Sequence, residues 1–99
     1  MVIYVDVDET ICDTPVSRIY TDAIPIKSNI DMVNKLYSQG HTIVYWTARG
    51  TLTNINWFEL TQKQLNKWGC KYHELRMGKP VYDLFIDDKN LNAKDLHNY

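Results

Sequence analysis

Apolar and polar positions fall into blocks along this chain, and the blocks define elements. Val2 to Val7 (VIYVDV) sets β-branched and aromatic residues on both parities. That pattern predicts a strand buried on both faces, as in a parallel sheet. Residues 8–26 carry Thr14, Pro15, Asp22 and Pro25, which predicts an irregular loop or flap. Ser28 is placed to cap a helix in which Ile30, Val33, Leu36 and Tyr37 line one face, and Gly40 ends it. His41 to Thr47 (HTIVYWT) predicts a second buried strand. Thr53 or Asn54 caps a second helix, whose stripe of Trp57, Leu60, Gln64 and Trp68, with Leu65 beside it, stops at Gly69. A short strand is expected near Lys71 to Leu75, and a last one over Val81 to Ile86 (VYDLFI). Asn90 to His97 predicts a short terminal helix.

Strands alternating with helices imply βαβ units, hence an α/β fold with a parallel sheet and right-handed crossovers. Residues 1–99 are expected to form a single domain. Ligands of such sheets sit at the carboxyl ends of the strands. Those ends carry Asp6 and Asp8 after the first strand, Thr47 and Arg49 after the second, and Asp87 and Asp88 after the last, with Lys79 just before it.

Composition narrows the classes. At 44% hydrophobic the chain has material for a core. A formal net charge of -1 provides no global field for nucleic acid or anionic lipid. Bases concentrate between Lys63 and Lys79, which reads as a solvated helix face or as a phosphate-attracting rim. Two cysteines make no disulfide framework, no apolar run is long enough to span a membrane, and no signal-peptide pattern precedes the first strand. A cytoplasmic protein is the expectation.

Four carboxylates gathered at one sheet edge repel one another, so at neutral pH they need a cation or some must take up protons. An oxygen-rich set without Cys or His suits Mg²⁺, which keeps waters and a substrate phosphate in its shell. A carboxylate beside such a cation can attack phosphorus, and a second one two residues on can protonate the leaving group and then activate water.

Asp6-Val7-Asp8-Glu9-Thr10 resembles the DxDxT signature of the haloacid dehalogenase superfamily of phosphohydrolases. Thr47, Lys79 and Asp87-Asp88 follow in the order of that superfamily's other motifs. The resemblance implies a Rossmann-like three-layer core with sheet order 3-2-1-4, a short flap and no cap domain. It implies Asp6 as nucleophile and Asp8 as general acid/base. It places Mg²⁺ on Asp6, the Asp8 backbone carbonyl and the Asp87/Asp88 pair, with Asp88 favoured as the direct ligand. Thr47 would hydrogen-bond the phosphoryl group and Lys79 would neutralise charge. Thr10 and Arg49 are expected at the substrate, although Arg49 fits pairing with an acid equally well. Glu9 departs from the family, where many members have Gly. The small size resembles capless bacterial members linked to capsular or surface polysaccharide synthesis. That points to a phosphorylated small molecule, a sugar phosphate, as substrate; capless members either assemble so that a neighbouring copy covers the open site or act on large substrates.

Other readings compete. Cys12-x5-Arg18 matches the spacing of cysteine-dependent tyrosine phosphatases, but Pro15 removes a backbone donor and Asp8, Glu9 and Asp13 would repel phosphate. A response-regulator receiver domain places its acid pair before its lysine; here Asp87-Asp88 come after Lys79. A polynucleotide or protein phosphatase of the same mechanism, or a non-catalytic phosphate- or metal-binding module, completes the set.

Overall fold

The computed structural model describes residues 1–99. Its centre is a three-stranded sheet built from β1 (Val2–Val5), β4 (Thr42–Trp46) and β5 (Glu74–Arg76), in the order β1-β4-β5. All pairings are parallel: Val2 to Val5 lie opposite Thr42 to Tyr45, and Val44 to Trp46 opposite Glu74 to Arg76. Helix α1 (Lys27–Ser38) connects β1 to β4, and α2 (Phe58–Lys67) connects β4 to β5. Between β1 and α1 the chain makes a small antiparallel hairpin of β2 (Cys12–Asp13) and β3 (Ile24–Pro25), with a 3-10 turn at Tyr20–Asp22. A second 3-10 turn, Ala93–Asn98, packs on α1 near the C-terminus.

The α/β class and the parallel sheet expected from the sequence are present, and the observed order matches the 3-2-1 portion of the expected one. Two features differ. Residues 81–86 form no strand and are exposed throughout, with Leu84 74% and Ile86 87% accessible. Apolar residues signal burial, but a strand also needs a paired edge. Here β1 is the terminal strand of the sheet, and its outer edge is unpaired.

The second difference follows from topology. Both helices contribute to one core: Ile30, Val33 and Leu36 of α1 and Leu65 of α2 cluster with Val5, Ile43 and Tyr45 of the sheet. Two successive crossovers that step in the same direction along a sheet, with one hand, leave both helices on the same face. The arrangement is therefore two-layered around that core, not three-layered. Side chains of opposite parity, Val2 and Tyr4, are exposed, so β1 is buried on one face only.

The helix boundaries also shift. Expected caps were Ser28, Thr53 and Asn54. Helix α1 begins at Lys27, after Ile26. Ahead of α2, Asn56 Oδ1 accepts from Phe58 N at 3.0 Å. Asn54 instead adopts φ 59° and donates its N–H to the Gly50 carbonyl at 2.9 Å, closing a loop before the helix starts.

Candidate active site

Parallel strands bring their carboxyl ends to one edge, and three segments meet there. Asp6 and Asp8 follow β1, Thr47 and Arg49 follow β4, and Lys79 follows β5. Thr47 N donates to the Arg76 carbonyl at 3.0 Å, and Lys79 N donates to the Thr47 carbonyl at 3.0 Å. These bonds continue the β4–β5 ladder past the strands and set the position of Lys79.

The two acids after β1 have different environments. Asp6 Oδ1 accepts from Val7 N at 2.9 Å, and Oδ2 lies 3.5 Å from Lys79 Nζ. The Asp6 side chain stays 38% accessible. Burial pushes its carboxyl above the ordinary range, and the Lys79 ammonium and the Val7 N–H offset only part of that.

Asp8 is enclosed. Arg49 Nη2 donates to its Oδ1 at 2.8 Å and Arg49 Nε to its Oδ2 at 3.1 Å. The Thr14 hydroxyl donates to Oδ1, and Cys12 Sγ lies 3.6 Å from the same atom. Burial alone would raise the Asp8 carboxyl, but the Arg49 fork, with Thr14 and Cys12, outweighs it and holds Asp8 below the ordinary range.

Arg49 itself has no exposed side-chain surface. Its Nη1 donates to Thr61 Oγ1 at 3.2 Å and Gln64 Oε1 at 2.5 Å, and the guanidinium lies 4.6 Å from the centre of the Tyr20 ring. Gln64 Nε2 in turn donates to the Tyr20 carbonyl at 2.6 Å, tying α2 to the flap. Every nitrogen of the guanidinium is thus engaged by protein, so of the two roles expected for Arg49 the structure places it in pairing with an acid. Sequence reasoning missed Thr14, Thr61 and Gln64. A signal existed for two of them: Thr61 and Gln64, three apart, are polar on the buried face of α2, and buried polar groups require a partner.

The remaining expected residues are dispersed. Thr47 is fully buried, and its Oγ1 accepts from Arg49 N at 3.1 Å. The Thr10 carbonyl accepts from Asn29 Nδ2 at 2.8 Å. Neither threonine lines the cavity at the sheet edge. Asp87 and Asp88 are exposed on the segment that forms no strand. No three carboxylate, His or Cys side chains converge anywhere. The four-acid set expected for Mg²⁺ is therefore not assembled by the present placement of residues 81–88.

Glu9 takes φ 61°, the left-handed region where glycine is favoured. Its N–H donates to the Cys12 carbonyl at 2.7 Å and its carboxylate pairs with Arg18 at 3.0 Å. The Cys12-x5-Arg18 spacing makes no anion cradle: Arg18 is held by Glu9, and burial pushes the Cys12 thiol up to about 12.

The cavity beside Asp6, Asp8 and Lys79 has a volume of about 580 Å³. Its floor is charged. Its walls come from the flap at Arg18 and Tyr20, the loop from Gly50 to Trp57, and the start of the segment after Lys79.

The crystal structure of an MCSG target from Vibrio cholerae is similar to this chain, with a TM-score of 0.89 and 25% identity over 99% of this chain and 88% of that one. No protein-family model matches the chain, and no curated protein matches it. Fold and site together define a small α/β protein with a parallel sheet and an acid–lysine pair at its carboxyl edge.

Proposed function

We propose that this chain is a phosphomonoester hydrolase of the haloacid dehalogenase type, acting through a covalent aspartyl-phosphate on Asp6. One observation carries the reading: Asp6 presents a partly open carboxylate oxygen 3.5 Å from the Lys79 ammonium, in the lining of the cavity. A nucleophile must reach its target, and of the two acids after β1 Asp6 is the accessible one. Its Oδ2 attacks phosphorus, and the alcohol oxygen leaves with the ester's electron pair and a proton relayed by Asp8 from the phosphoester monoanion. Water then attacks phosphorus, its proton passing through Asp8 to the departing phosphate, and Asp6 is released. Lys79 neutralises charge on the transferred group throughout. Asp8 is held in one orientation by Arg49, with Oδ2 accepting a single protein hydrogen bond, and serves as the proton-transfer partner.

Mg²⁺ belongs to this reading only with Asp87-Asp88 brought near Asp6. The free edge of β1 and the unpaired apolar residues 81–86 support such a placement: a fourth strand beside β1 would end at the same edge as Asp6. That arrangement is the 3-2-1-4 order of the proposed family.

The test is phosphate release from a generic aryl phosphate, with Mg²⁺ and with excess EDTA, by wild type and Asp6→Asn. Turnover that requires Asp6 is expected. Turnover that persists in Asp6→Asn would exclude the mechanism.

A further inference from the structure

The cavity is larger than a phosphate group requires. Its volume falls within the roughly 300–1,000 Å³ of sites that enclose whole small molecules. Above the charged floor the walls change character. Leu52 and Ile55 line it and are exposed, by 79% and 52%. Trp57 and Tyr20 stand beside them, their rings in an edge-on pair 5.2 Å apart.

This wall is built in advance. Gly50 has φ 83°, and a Cβ there would lie 2.1 Å from the Ile55 carbonyl oxygen and 3.3 Å from Trp57 Cδ1. Only glycine lets the loop from Gly50 to Trp57 close on itself this tightly, and the Asn54 N–H to Gly50 carbonyl bond holds it shut.

The charged side chains Glu9, Arg18 and Arg49 in the same walls are committed. Glu9 and Arg18 pair with each other, Arg49 is saturated, and Thr53 Oγ1 accepts from Ile55 N at 3.4 Å. A polyol entering here would surrender hydration with few partners in return. A flat apolar ring would cover exposed apolar wall and meet the edge of Trp57.

We infer that the outer cavity is a ring subsite: the site takes a phosphomonoester whose alcohol carries an aromatic ring, in preference to a sugar phosphate. The inference rests on the phosphoester reading of the same site. It is tested by binding, which does not depend on turnover. Affinities of wild type for phenylphosphonate, methylphosphonate and a hexose phosphate are measured by calorimetry. Phenylphosphonate is expected to bind at least about tenfold more tightly than methylphosphonate, the size of one good aromatic contact. Trp57→Ala should reduce that preference to near unity. Because Trp57 also packs on Tyr20, the exposed Leu52→Asn is a second variant, and a partial loss of the preference is expected from it with no change in circular dichroism. Equal affinities for the phenyl and methyl compounds, a hexose phosphate that binds as tightly as phenylphosphonate, or a preference untouched in both variants would overturn the subsite. A preserved phenyl preference in a chain that turns over no phosphomonoester would leave the subsite standing and remove the hydrolase reading instead.

Discussion

Arg49 grips Asp8 with two prongs, Nη2 to Oδ1 at 2.8 Å and Nε to Oδ2 at 3.1 Å, and the arginine side chain has no exposed surface. The pair joins the end of β1 to the turn after β4, and Thr61 and Gln64 extend the link to α2. Removing one member of a buried pair leaves the other charge uncompensated, at a cost of about 3–5 kcal/mol. Arg49→Ala is expected to lose that much stability in urea unfolding. Asp8→Ala combined with Arg49→Ala should lose clearly less than the sum of the two single losses. Additive losses would show that the two side chains do not act as a unit.

The two acids after β1 respond to pH with opposite signs. Asp8 is held below the ordinary carboxylate value in the folded chain. Its contribution to stability is full above the unfolded value and is lost as pH falls through the lower folded one. Asp6 is raised by burial, so its ionisation costs stability as pH rises from the unfolded value through the folded one. Urea midpoints measured across acid pH should therefore show Asp8→Asn flattening the acid-side loss and Asp6→Asn removing a loss on the neutral side. The same direction of change in both variants would contradict these environments.

Both thiols are buried, and burial pushes Cys12 up to about 12 and Cys70 up to about 11. Alkylation proceeds through the thiolate, so iodoacetamide is expected to leave both unlabelled in the folded chain at neutral pH and to label them after unfolding. Rapid labelling of Cys12 in the native state would revive the cysteine-phosphatase reading.

Residues 81–86 present apolar side chains to solvent next to a sheet whose first strand has a free edge. Under the proposed function, Mg²⁺ is expected to slow amide hydrogen exchange across Tyr82 to Ile86, because strand pairing beside β1 and ligation by Asp87-Asp88 favour the same placement. Replacing Asp87 and Asp88 together by Asn should abolish the effect. Exchange in this segment that is indifferent to saturating Mg²⁺ would reject a fourth strand coupled to metal.

Much of the scaffold was legible in the chain itself. The strands at Val2, Thr42 and Glu74 and the two helices lie close to where periodicity predicts them, because β-branched runs and amphipathic stripes are local signals. Helix starts were harder to locate. Asn54 is a good cap by type, but the Gly50 turn consumes it, and α2 begins only after Trp57.

The order of residues specifies an α/β chain whose strands end in acids, a threonine, an arginine and a lysine. Parallel strands alone suffice to bring Asp6, Asp8, Arg49 and Lys79 to one edge. What each does there follows from long-range packing. Two adjacent carboxylates of the same type became an open one and an enclosed one, because Arg49 could reach Asp8 across the sheet and only Lys79 could reach Asp6. Residues 81–86 read as a buried strand, yet burial is a property of the partner as well as of the segment, and the edge of β1 stands free. Pairing at long range depends on geometry that no local pattern encodes.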